Sequence, residues 1–151
     1  MKIVLFEPEI PQNTGNIVRT CSVTNTGLLL VKPLGFSTSS RMLKRAGLDY
    51  WDDVAIEEID DLEKYLEATP HPFYFFSSKV KRLYSEVKYE KDSLLIFGSE
   101  TKGLSSKYFS RWEERFCTIP MKKKARCLNL SNAVNIVLYE AYRQMDFHSF
   151  F

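Results

Sequence analysis

Cysteine and histidine are scarce in this chain, and their spacing excludes several kinds of site. The cysteines are Cys21, Cys117 and Cys127, and the histidines are His71 and His148. An odd number of cysteines without a Cys-x-x-Cys pair excludes a disulfide framework and a zinc knuckle. We therefore expect a protein of a reducing compartment that binds no metal.

Long hydrophobic runs and a strong net charge are also missing. The apolar run at residues 3–6 is shorter than the roughly seven residues of a signal-peptide core. No run approaches the roughly 18 apolar residues that span a membrane. A net charge of +2 permits nucleic-acid binding but does not argue for it, because DNA- and RNA-binding domains are typically more basic. We expect a cytoplasmic protein that does not enter a membrane.

What is present is the composition of an ordinary globular domain. The chain has 151 residues, of which 44% are hydrophobic and 26% are charged. A chain of this length and composition can bury a core without disulfides or a structural metal. No repeat, linker or low-complexity segment interrupts the chain, so residues 1–151 are predicted to form a single domain.

Buried strands and amphipathic helices alternate along the chain. Short apolar runs predict strands, and apolar residues at helical spacing predict helices. The predicted strands are residues 3–6, 28–31, 54–59, 73–76, 94–97 and 116–119. Four helices are predicted: from Asn13 or Thr14 to Asn25, from a capping box at residues 60–63 to Ala68, a short helix that follows Gly103, and residues 131–145. A basic helical turn is also predicted at residues 41–46. This alternation predicts an α/β fold with a mostly parallel sheet.

The first segment of functional interest, residues 11–19, joins a buried strand to a helix. In open α/β sheets, ligands bind at the carboxyl ends of strands, which is where this junction lies. Gly15 allows a backbone or a ligand to approach closely, and Arg19 lies about one turn into the helix. The alternative interpretation is a capped helix with a solvated arginine.

The second segment, residues 97–104, is a loop that follows another buried strand. Gly98 and Gly103 nearly fit the phosphate-loop pattern, but Leu104 occupies the position of the phosphate-binding lysine. Glu100 would also face the phosphates. The segment therefore favours a cofactor loop that does not bind a triphosphate, and a plain loop before a helix is the alternative.

The third segment, residues 119–133, contains a strand end, a basic loop and a polar helix start. Asn129, Ser131 and Asn132 are all good N-cap residues, and three of them within four positions exceed what one cap needs. The basic loop at residues 122–126 is either solvated or contacts phosphates, as basic clusters do in RNA-binding proteins.

Together, and in this order, the segments resemble the signature motifs of the SPOUT-class RNA 2′-O-methyltransferases. The match is closest to the small single-domain members that modify the tRNA wobble nucleotide, and residues 7–16, 45–51, 129–133 and 138–141 carry it. Ser99 departs from the pattern, because many relatives have proline there. Cys127 stands where a serine is usual, which weakens a side-chain hydrogen bond because a thiol is a poor donor.

The resemblance implies an α/β fold with helices on both faces of the sheet and a C-terminal trefoil knot. The knot would hold S-adenosyl-L-methionine, and the unit would be a homodimer with its active site near the interface. The catalytic residues implied in this way are Arg19, Asn13, Glu100, Asn129 and Ser131. The cofactor-binding residues implied are Phe76, Ser77, Gly98, Gly103, Ile119, Met121, Cys127 and Leu128.

The resulting hypothesis is S-adenosylmethionine-dependent 2′-O-methylation of the wobble ribose in a tRNA anticodon loop, on cytidine or a modified uridine. Arg19 would act either as a base or as a cation that orients the ribose and stabilises the developing alkoxide. Three alternatives stay open: methylation of another tRNA or rRNA ribose, an inactive RNA-binding protein, and a nucleotide-binding phosphotransferase.

The expected partners are a tRNA anticodon stem-loop and a second copy of the chain. Candidate RNA contacts are three basic clusters: Arg41, Lys44 and Arg45; Lys79, Lys81 and Arg82; and Lys122, Lys123, Lys124 and Arg126. Phe147, Phe150 and Phe151 stand at a terminus that is normally exposed, which predicts an apolar patch covered by the second copy. The alternative is that they fold back onto their own core.

Overall fold

The computed structural model describes residues 1–37, 50–123, 125–148 and 150. The predicted basic turn at residues 41–46 lies outside them, as do Lys124 and Phe151. The strands are β1 (Lys2–Phe6), β2 (Gly27–Val31), β3 (Ile56–Ile59), β4 (Phe73–Phe76), β5 (Leu94–Phe97) and β6 (Phe116–Cys117). The α-helices are α1 (Pro11–Thr24), α2 (Leu62–Ala68), α3 (Ser106–Trp112) and α4 (Leu130–Gln144), and short 3₁₀ helices occur at Tyr84–Glu86 and Glu113–Arg115.

These six strands form one sheet in the order β3-β2-β1-β5-β4-β6, and every neighbouring pair is parallel. The predicted mostly parallel sheet is therefore confirmed. β1 lies inside the sheet, with β2 on one side and β5 on the other. Where strand order reverses in this way, a crevice opens beyond the carboxyl ends of the strands. The segments that follow β1, β4, β5 and β6 consequently meet at the same edge.

Alternating side chains of the sheet bury an apolar layer on each face. Leu5 of β1 packs in the layer that α1 and α4 cover. Its neighbour Val4 points the other way and packs in the layer that α2 and α3 cover. Both side chains are fully buried, and burial of such a side chain contributes about 1.5–3 kcal/mol. The prediction of helices on both faces is confirmed.

Helix α1 begins at Pro11, before the predicted start at Asn13 or Thr14. Proline suits the first helical position because its φ is already helical and it has no N–H to satisfy. The preceding Ile10 is extended and offers no side-chain cap. Instead, the Glu100 carboxylate accepts the Ile10 N–H at 3.2 Å from a distant loop. A cap supplied by a residue 90 positions away leaves no local signal in the sequence.

The other helices begin close to their predicted positions. The cap of α2 is Asp61, one residue later than the predicted capping box implies, and its Oδ1 accepts the Lys64 N–H at 3.2 Å. The short helix expected after Gly103 is α3. The last helix, α4, starts one residue before the predicted Ser131.

Strands β3 and β6 are shorter than predicted. β3 does not start at residue 54, because the preceding residues form a turn in which the Asp53 N–H donates to the Tyr50 carbonyl at 3.3 Å. β6 ends at Cys117 because Thr118 pairs with another segment, and its N–H donates to the Arg82 carbonyl at 2.8 Å. At the end of β6, the main chain thus finds a partner outside the six-stranded sheet.

The C-terminal aromatic residues fold back onto the core. The Phe150 ring packs edge-on against Tyr142, with centroids 4.8 Å apart, and Phe147 packs against the same core layer. The chain can turn back because Asp146 and Phe147 both adopt positive φ directly after α4. These two phenylalanines are half-buried against their own core, which agrees with the alternative that they fold back, and their covering by a second copy stays a prediction.

None of the described helices is long and apolar enough to cross a membrane. The trefoil knot that the resemblance implies stays a prediction.

Candidate functional site

A cleft of about 470 Å³ opens at the carboxyl ends of β4, β5 and β6. Its walls come from the loops that follow these strands and from the starts of α1 and α4. A volume of this size suits a small organic ligand. All eight residues that the resemblance implies as cofactor-binding lie in these walls: Phe76, Ser77, Gly98, Gly103, Ile119, Met121, Cys127 and Leu128.

The 98–103 loop, which forms one wall, closes on itself in a tight turn. The Ser99 N–H donates to the Gly103 carbonyl at 3.3 Å, and the Gly103 N–H donates to the Ser99 carbonyl at 2.9 Å. Gly103 has a φ of 69°, a left-handed conformation that glycine adopts without strain. Gly98 is required for another reason, because a Cβ there would lie 2.3 Å from the Gly103 carbonyl carbon.

A continuous chain of hydrogen bonds joins the three segments beside the cleft. The Asn13 Nδ2 donates to Glu100 Oε1 at 2.9 Å, and the Asn129 Nδ2 donates to Asn13 Oδ1 at 2.8 Å. Ser131 Oγ and the Ser131 N–H both donate to Asn129 Oδ1, at 2.7 and 2.9 Å. We call these four residues the polar chain. The structure thus brings together four of the five residues that the resemblance implies as catalytic.

The polar chain fixes the orientation of both asparagine amides. An ionised carboxylate only accepts hydrogen bonds, so Asn13 must turn its NH₂ group to Glu100 and its oxygen to Asn129. Asn129 must then turn its NH₂ group to Asn13 and its oxygen to Ser131. Because reversing either amide would set donor against donor or acceptor against acceptor, the arrangement has a single consistent solution.

Glu100 also caps helix α1 from outside. Its carboxylate accepts the Glu9 N–H at 2.8 Å and the Ile10 N–H at 3.2 Å, in addition to the Asn13 amide. A negative charge at a helix start is favourable, because the first N–H groups have no partner within the helix. The contacts shown for this carboxylate are those of a group that positions α1.

Sequence reasoning missed Glu9 and Thr101 as residues of this site. The Glu9 carboxylate accepts the Thr101 hydroxyl, with Oε2 at 2.6 Å, and the Thr101 N–H at 3.0 Å. The two residues are 92 positions apart, so spacing cannot pair them. The sequence did place Glu9 within residues 7–16 and Thr101 within residues 97–104, two stretches of functional interest. Further lining residues that the sequence did not assign to the cofactor or to catalysis are Ile10, Ser78, Lys102, Thr118, Leu130 and Ala133, together with Lys79, which was predicted as an RNA contact.

Arg19, the fifth residue implied as catalytic, is not among the residues that line the cleft. It is exposed on α1, and its guanidinium carbon lies 5.3 Å from the centroid of the Tyr50 ring. A planar guanidinium stacks favourably on an aromatic face. The single chain therefore does not bring Arg19 together with the polar chain in the walls of the cleft.

Basic side chains surround part of the cleft. Lys79 and Lys102 lie in its walls. Lys122, Lys123 and Arg126 are exposed in the loop that separates two of its lining stretches. The predicted cluster at residues 41–45 lies outside the described residues. An anionic ligand longer than the cleft would meet positive charge at its mouth.

The three thiols differ in their surroundings. Burial raises the pKa of Cys21 to about 12 and the pKa of Cys117 to about 11. Cys127 is exposed in the cleft, with its Sγ 3.4 Å from Ser78 Oγ. Among the described residues, no group of three His, Cys, Asp or Glu side chains is arranged to hold a metal ion.

Known proteins resemble this chain over nearly its whole length. The sequence profile of the SpoU rRNA Methylase family matches residues 1–139. Curated relatives are 40–48% identical to the chain. One of them, the tRNA (cytidine(34)-2′-O)-methyltransferase of Escherichia coli strain K12, is 41% identical over 149 residues, which cover 97% of this chain and 95% of that protein.

Solved structures agree with these sequence matches. One, described as giving structural insights into the 2-OH methylation of C/U34 on tRNA, is 40% identical with a TM-score of 0.90 and covers 97% of each chain. Another is the SpoU methyltransferase AviRb of Streptomyces viridochromogenes in complex with AdoMet, with a TM-score of 0.84 and 21% identity over 97% of this chain and 58% of that one. Because the identity is low, this similarity shows the fold alone. The predicted methyltransferase family is confirmed. A profile match over most of the chain and relatives of nearly equal length establish that this chain belongs to the SpoU rRNA Methylase family.

Proposed function

We propose that this protein transfers a methyl group from S-adenosylmethionine to the ribose 2′-oxygen of the tRNA wobble nucleotide, a cytidine or a modified uridine. The observation that carries the proposal is the cleft at the carboxyl ends of β4, β5 and β6, together with the polar chain that joins its bordering segments. The E. coli relative of nearly equal length is named for this reaction at position 34.

The residues of the cleft fit S-adenosylmethionine. The volume of about 470 Å³ lies within the range of about 300–1,000 Å³ that is usual for small-ligand sites. The stacked rings of Phe76 and Phe97, with centroids 4.8 Å apart, and Ile119 offer apolar surface, and Ser77 and Thr118 offer polar groups at the strand ends. When bound, this cofactor supplies a methyl group that its positive sulfur has already activated.

Alignment is the main task left to the protein's own residues. Holding two reactants in a productive geometry can supply about 7–11 kcal/mol of the barrier. The polar chain meets this need because it fixes the three segments relative to one another. Asn13, Glu100, Asn129 and Ser131 are therefore assigned to positioning the walls of the site and the start of α1.

Arg19 is assigned to the RNA hydroxyl or the phosphate beside it. Arginine stays protonated in proteins, which favours a role as an orienting cation over a role as a base. A planar guanidinium can contact a phosphate through two parallel hydrogen bonds and can stabilise a developing alkoxide. Its exposed position on α1 leaves it accessible to a large substrate.

The RNA is held by the basic side chains around the cleft. A 2′-hydroxyl reaches a recessed methyl donor only from a splayed nucleotide, which an RNA loop offers and a duplex does not. Lys79, Lys122, Lys123 and Arg126 stand beside the cleft or in its wall, where they can contact the phosphates of an anticodon stem-loop. Binding through such contacts falls steeply as salt rises.

The working unit is a homodimer, in which a second copy covers the outer face of α1 and α4. These helices pack on each other, and Thr20 Oγ1 donates to Asn135 Oδ1 at 2.8 Å. Val23 lies three residues after Thr20 and Tyr139 four residues after Asn135, so each shares a helix face with one partner of this contact. Val23, Ile136 and Tyr139 are 60%, 37% and 47% exposed. Since Arg19 lies beside the same face and outside the cleft of its own chain, pairing this face offers a way to complete the site.

Residues 1–151 act as a single methyltransferase domain, which is supported by one sheet that unites all six described strands. The protein works in the cytoplasm, which is supported by relatives that are named for tRNA modification.

Titration with S-adenosylhomocysteine tests the proposed function against its rivals. A calorimetric signal that saturates at one ligand per chain, without added metal, is the expected result. An inactive RNA-binding protein would bind tRNA without binding this ligand, and a phosphotransferase would bind a nucleoside triphosphate in its place. Absence of both heat and thermal shift at millimolar ligand would remove the methyltransferase assignment.

A further inference from the structure

A second, reciprocal set of contacts fastens the start of α1 to the cleft. Glu9 Oε1 and Oε2 lie 2.8 and 2.6 Å from Thr101 Oγ1, and Oε2 accepts the Thr101 N–H at 3.0 Å. In return, the carboxylate of Glu100 accepts the Glu9 N–H at 2.8 Å. Each of the two stretches thus presents a carboxylate to the main chain of the other.

The main chain of Glu9 is also held from its other side. A Cβ at Gly35 would lie 2.7 Å from the Glu9 Cα, so the two backbones are in direct contact. The Gly35 N–H donates to the carbonyl of the neighbouring Pro8 at 2.9 Å. Because Glu9 is half-buried and fixed at its backbone, its carboxylate gives Thr101 a fixed point of attachment.

Both ends of this contact lead to groups that the proposed chemistry needs. Thr101 belongs to the 98–103 loop and lies in the wall of the cleft. Glu9 stands two residues before α1, the helix that carries Arg19. A shift of the loop is therefore transmitted to the helix, and a shift of the helix is transmitted to the loop.

We propose that Glu9 is a positioning residue that locks the 98–103 loop to α1, so that cofactor binding and the placement of Arg19 depend on each other. This inference rests on the proposed function. Glu9 acts through Thr101 and the start of α1, because it is not among the residues that line the cleft. A carboxylate suits this role because its Oε2 accepts both the hydroxyl and the N–H of Thr101, and an ionised acceptor forms stronger hydrogen bonds than the neutral amide oxygen of glutamine.

The test compares Glu9→Gln, Thr101→Val and the double variant in the full-length protein. S-adenosylhomocysteine affinity is measured by calorimetry, kcat and the KM for tRNA by methyl transfer, and Tm by thermal unfolding. Glu9→Gln is expected to weaken ligand binding and to lower kcat, each about three- to tenfold, as for loss of a charged hydrogen bond at a partly exposed site. The KM for tRNA stays within about twofold, because the RNA-facing lysines are unchanged.

The effects of the two changes in the double variant are expected to be less than additive, because both changes weaken the same contact. Glu113→Gln is the matched control, since it removes an exposed carboxylate from the 3₁₀ helix at the amino end of β6. It is expected to match the wild type in affinity and kcat.

Two results would overturn the role of Glu9. One is a Glu9→Gln variant whose Tm falls while its affinity and kcat, measured well below Tm, stay at wild-type values. The other is full additivity in the double variant. If Glu9→Gln does not fold, wild-type affinity and kcat in Thr101→Val overturn the role equally. Failure of the wild type itself to bind S-adenosylhomocysteine is a separate outcome, because it removes the proposed function before any variant is made.

Discussion

Among individual residues, Arg19 separates cofactor binding from chemistry most clearly. It lies on α1 and outside the walls of the cleft, so Arg19→Ala should leave S-adenosylhomocysteine affinity within about twofold of wild type. Methyl transfer should fall about 10²- to 10³-fold or more, which is the usual loss when a group that stabilises developing charge is removed. Single-turnover transfer to tRNA, beside a calorimetric titration, measures both quantities.

Arg19→Lys should fail as well, because an ammonium cannot reproduce a planar two-pronged contact. Arg111→Ala is the control, since Arg111 is exposed on α3 and pairs with Glu63 and Glu67 away from the cleft. It should retain full methyl transfer. Normal turnover in either Arg19 variant would remove this residue from the mechanism.

The cysteines provide a probe of the cleft that needs no RNA. The thiolate is the reactive form, and burial raises the pKa of Cys21 to about 12 and the pKa of Cys117 to about 11. An alkylating reagent at slightly alkaline pH should therefore add once per folded chain, at the exposed Cys127. Saturating S-adenosylhomocysteine should block this reaction, and intact-mass spectrometry counts the adducts.

Two controls define the limits of this experiment. Cys127→Ser should add no label while folded, and the unfolded wild type should add three, one for each cysteine. Undiminished labelling of Cys127 at saturating ligand would show that the ligand does not occupy the wall that contains this residue.

Residue-level sequence reasoning succeeded where a residue and its role lie in one short stretch. The eight residues that the family resemblance implies as cofactor-binding all line the cleft, because they lie in the loops that follow β4, β5 and β6. It could not find the Glu9–Thr101 contact, which joins residues 92 positions apart. The cofactor-binding role of those eight residues stays a prediction until the ligand is titrated.

Among the structural elements, the 98–103 loop contains two glycines whose substitution by alanine is expected to have different effects. Gly98→Ala places a methyl group 2.3 Å from the backbone of Gly103, so the turn must open. We expect at least a tenfold loss of S-adenosylhomocysteine affinity, since this loop forms a wall of the cleft. Gly103→Ala meets open space and keeps only the cost of a positive φ, about 1–2 kcal/mol.

Calorimetry and thermal unfolding of both variants measure this difference. Gly103→Asn should be milder still, because asparagine tolerates the left-handed region better than alanine does. Wild-type affinity in Gly98→Ala would show that the tight turn is not needed to shape the cleft.

The elements themselves were predictable wherever their signals are local. β4 and β5 match their predicted ranges because both are continuous apolar runs bordered by turns. The start of α1 was placed too late because its cap comes from Glu100, and β6 was predicted too long because Thr118 pairs with Arg82 instead of continuing in the sheet. In each failure a tertiary contact outweighed the local pattern.

At the scale of the whole molecule, the proposed dimer predicts a mass of twice the 17.6 kDa chain. Tyr139→Asp places a charge in the exposed apolar face of α1 and α4 and should yield a monomer, because burying an unpaired charge is costly. Light scattering at micromolar concentration measures the mass. Methyl transfer should be lost together with the dimer if a second copy completes the site.

Phe109→Gln is the matched control, because Phe109 is comparably exposed but lies on α3 at the other face of the sheet. It should remain a dimer. A wild-type protein that scatters as a single 17.6 kDa chain would contradict the proposed assembly.

The overall architecture followed from strand–helix alternation, whereas the C-terminal tail did not. The aromatic residues of the tail predicted that Phe147 and Phe150 form a patch for a partner. The turn after α4 directs both side chains against the core of their own chain. A turn built from two non-glycine residues at positive φ has no sequence signal strong enough to predict it. The support for a second copy comes instead from the outer face of α1 and α4.

The central claim is 2′-O-methylation of the wobble ribose, and mapping the transferred methyl group tests it most directly. The protein is incubated with labelled S-adenosylmethionine and total tRNA from a strain that lacks the enzyme, and the modified nucleotides are located by mass spectrometry. We predict a single ribose methyl group at the anticodon's wobble nucleotide, lost in Arg19→Ala and falling steeply as salt rises. Label at another tRNA position or in ribosomal RNA would contradict the wobble assignment, and absence of any transferred methyl group would contradict the account as a whole.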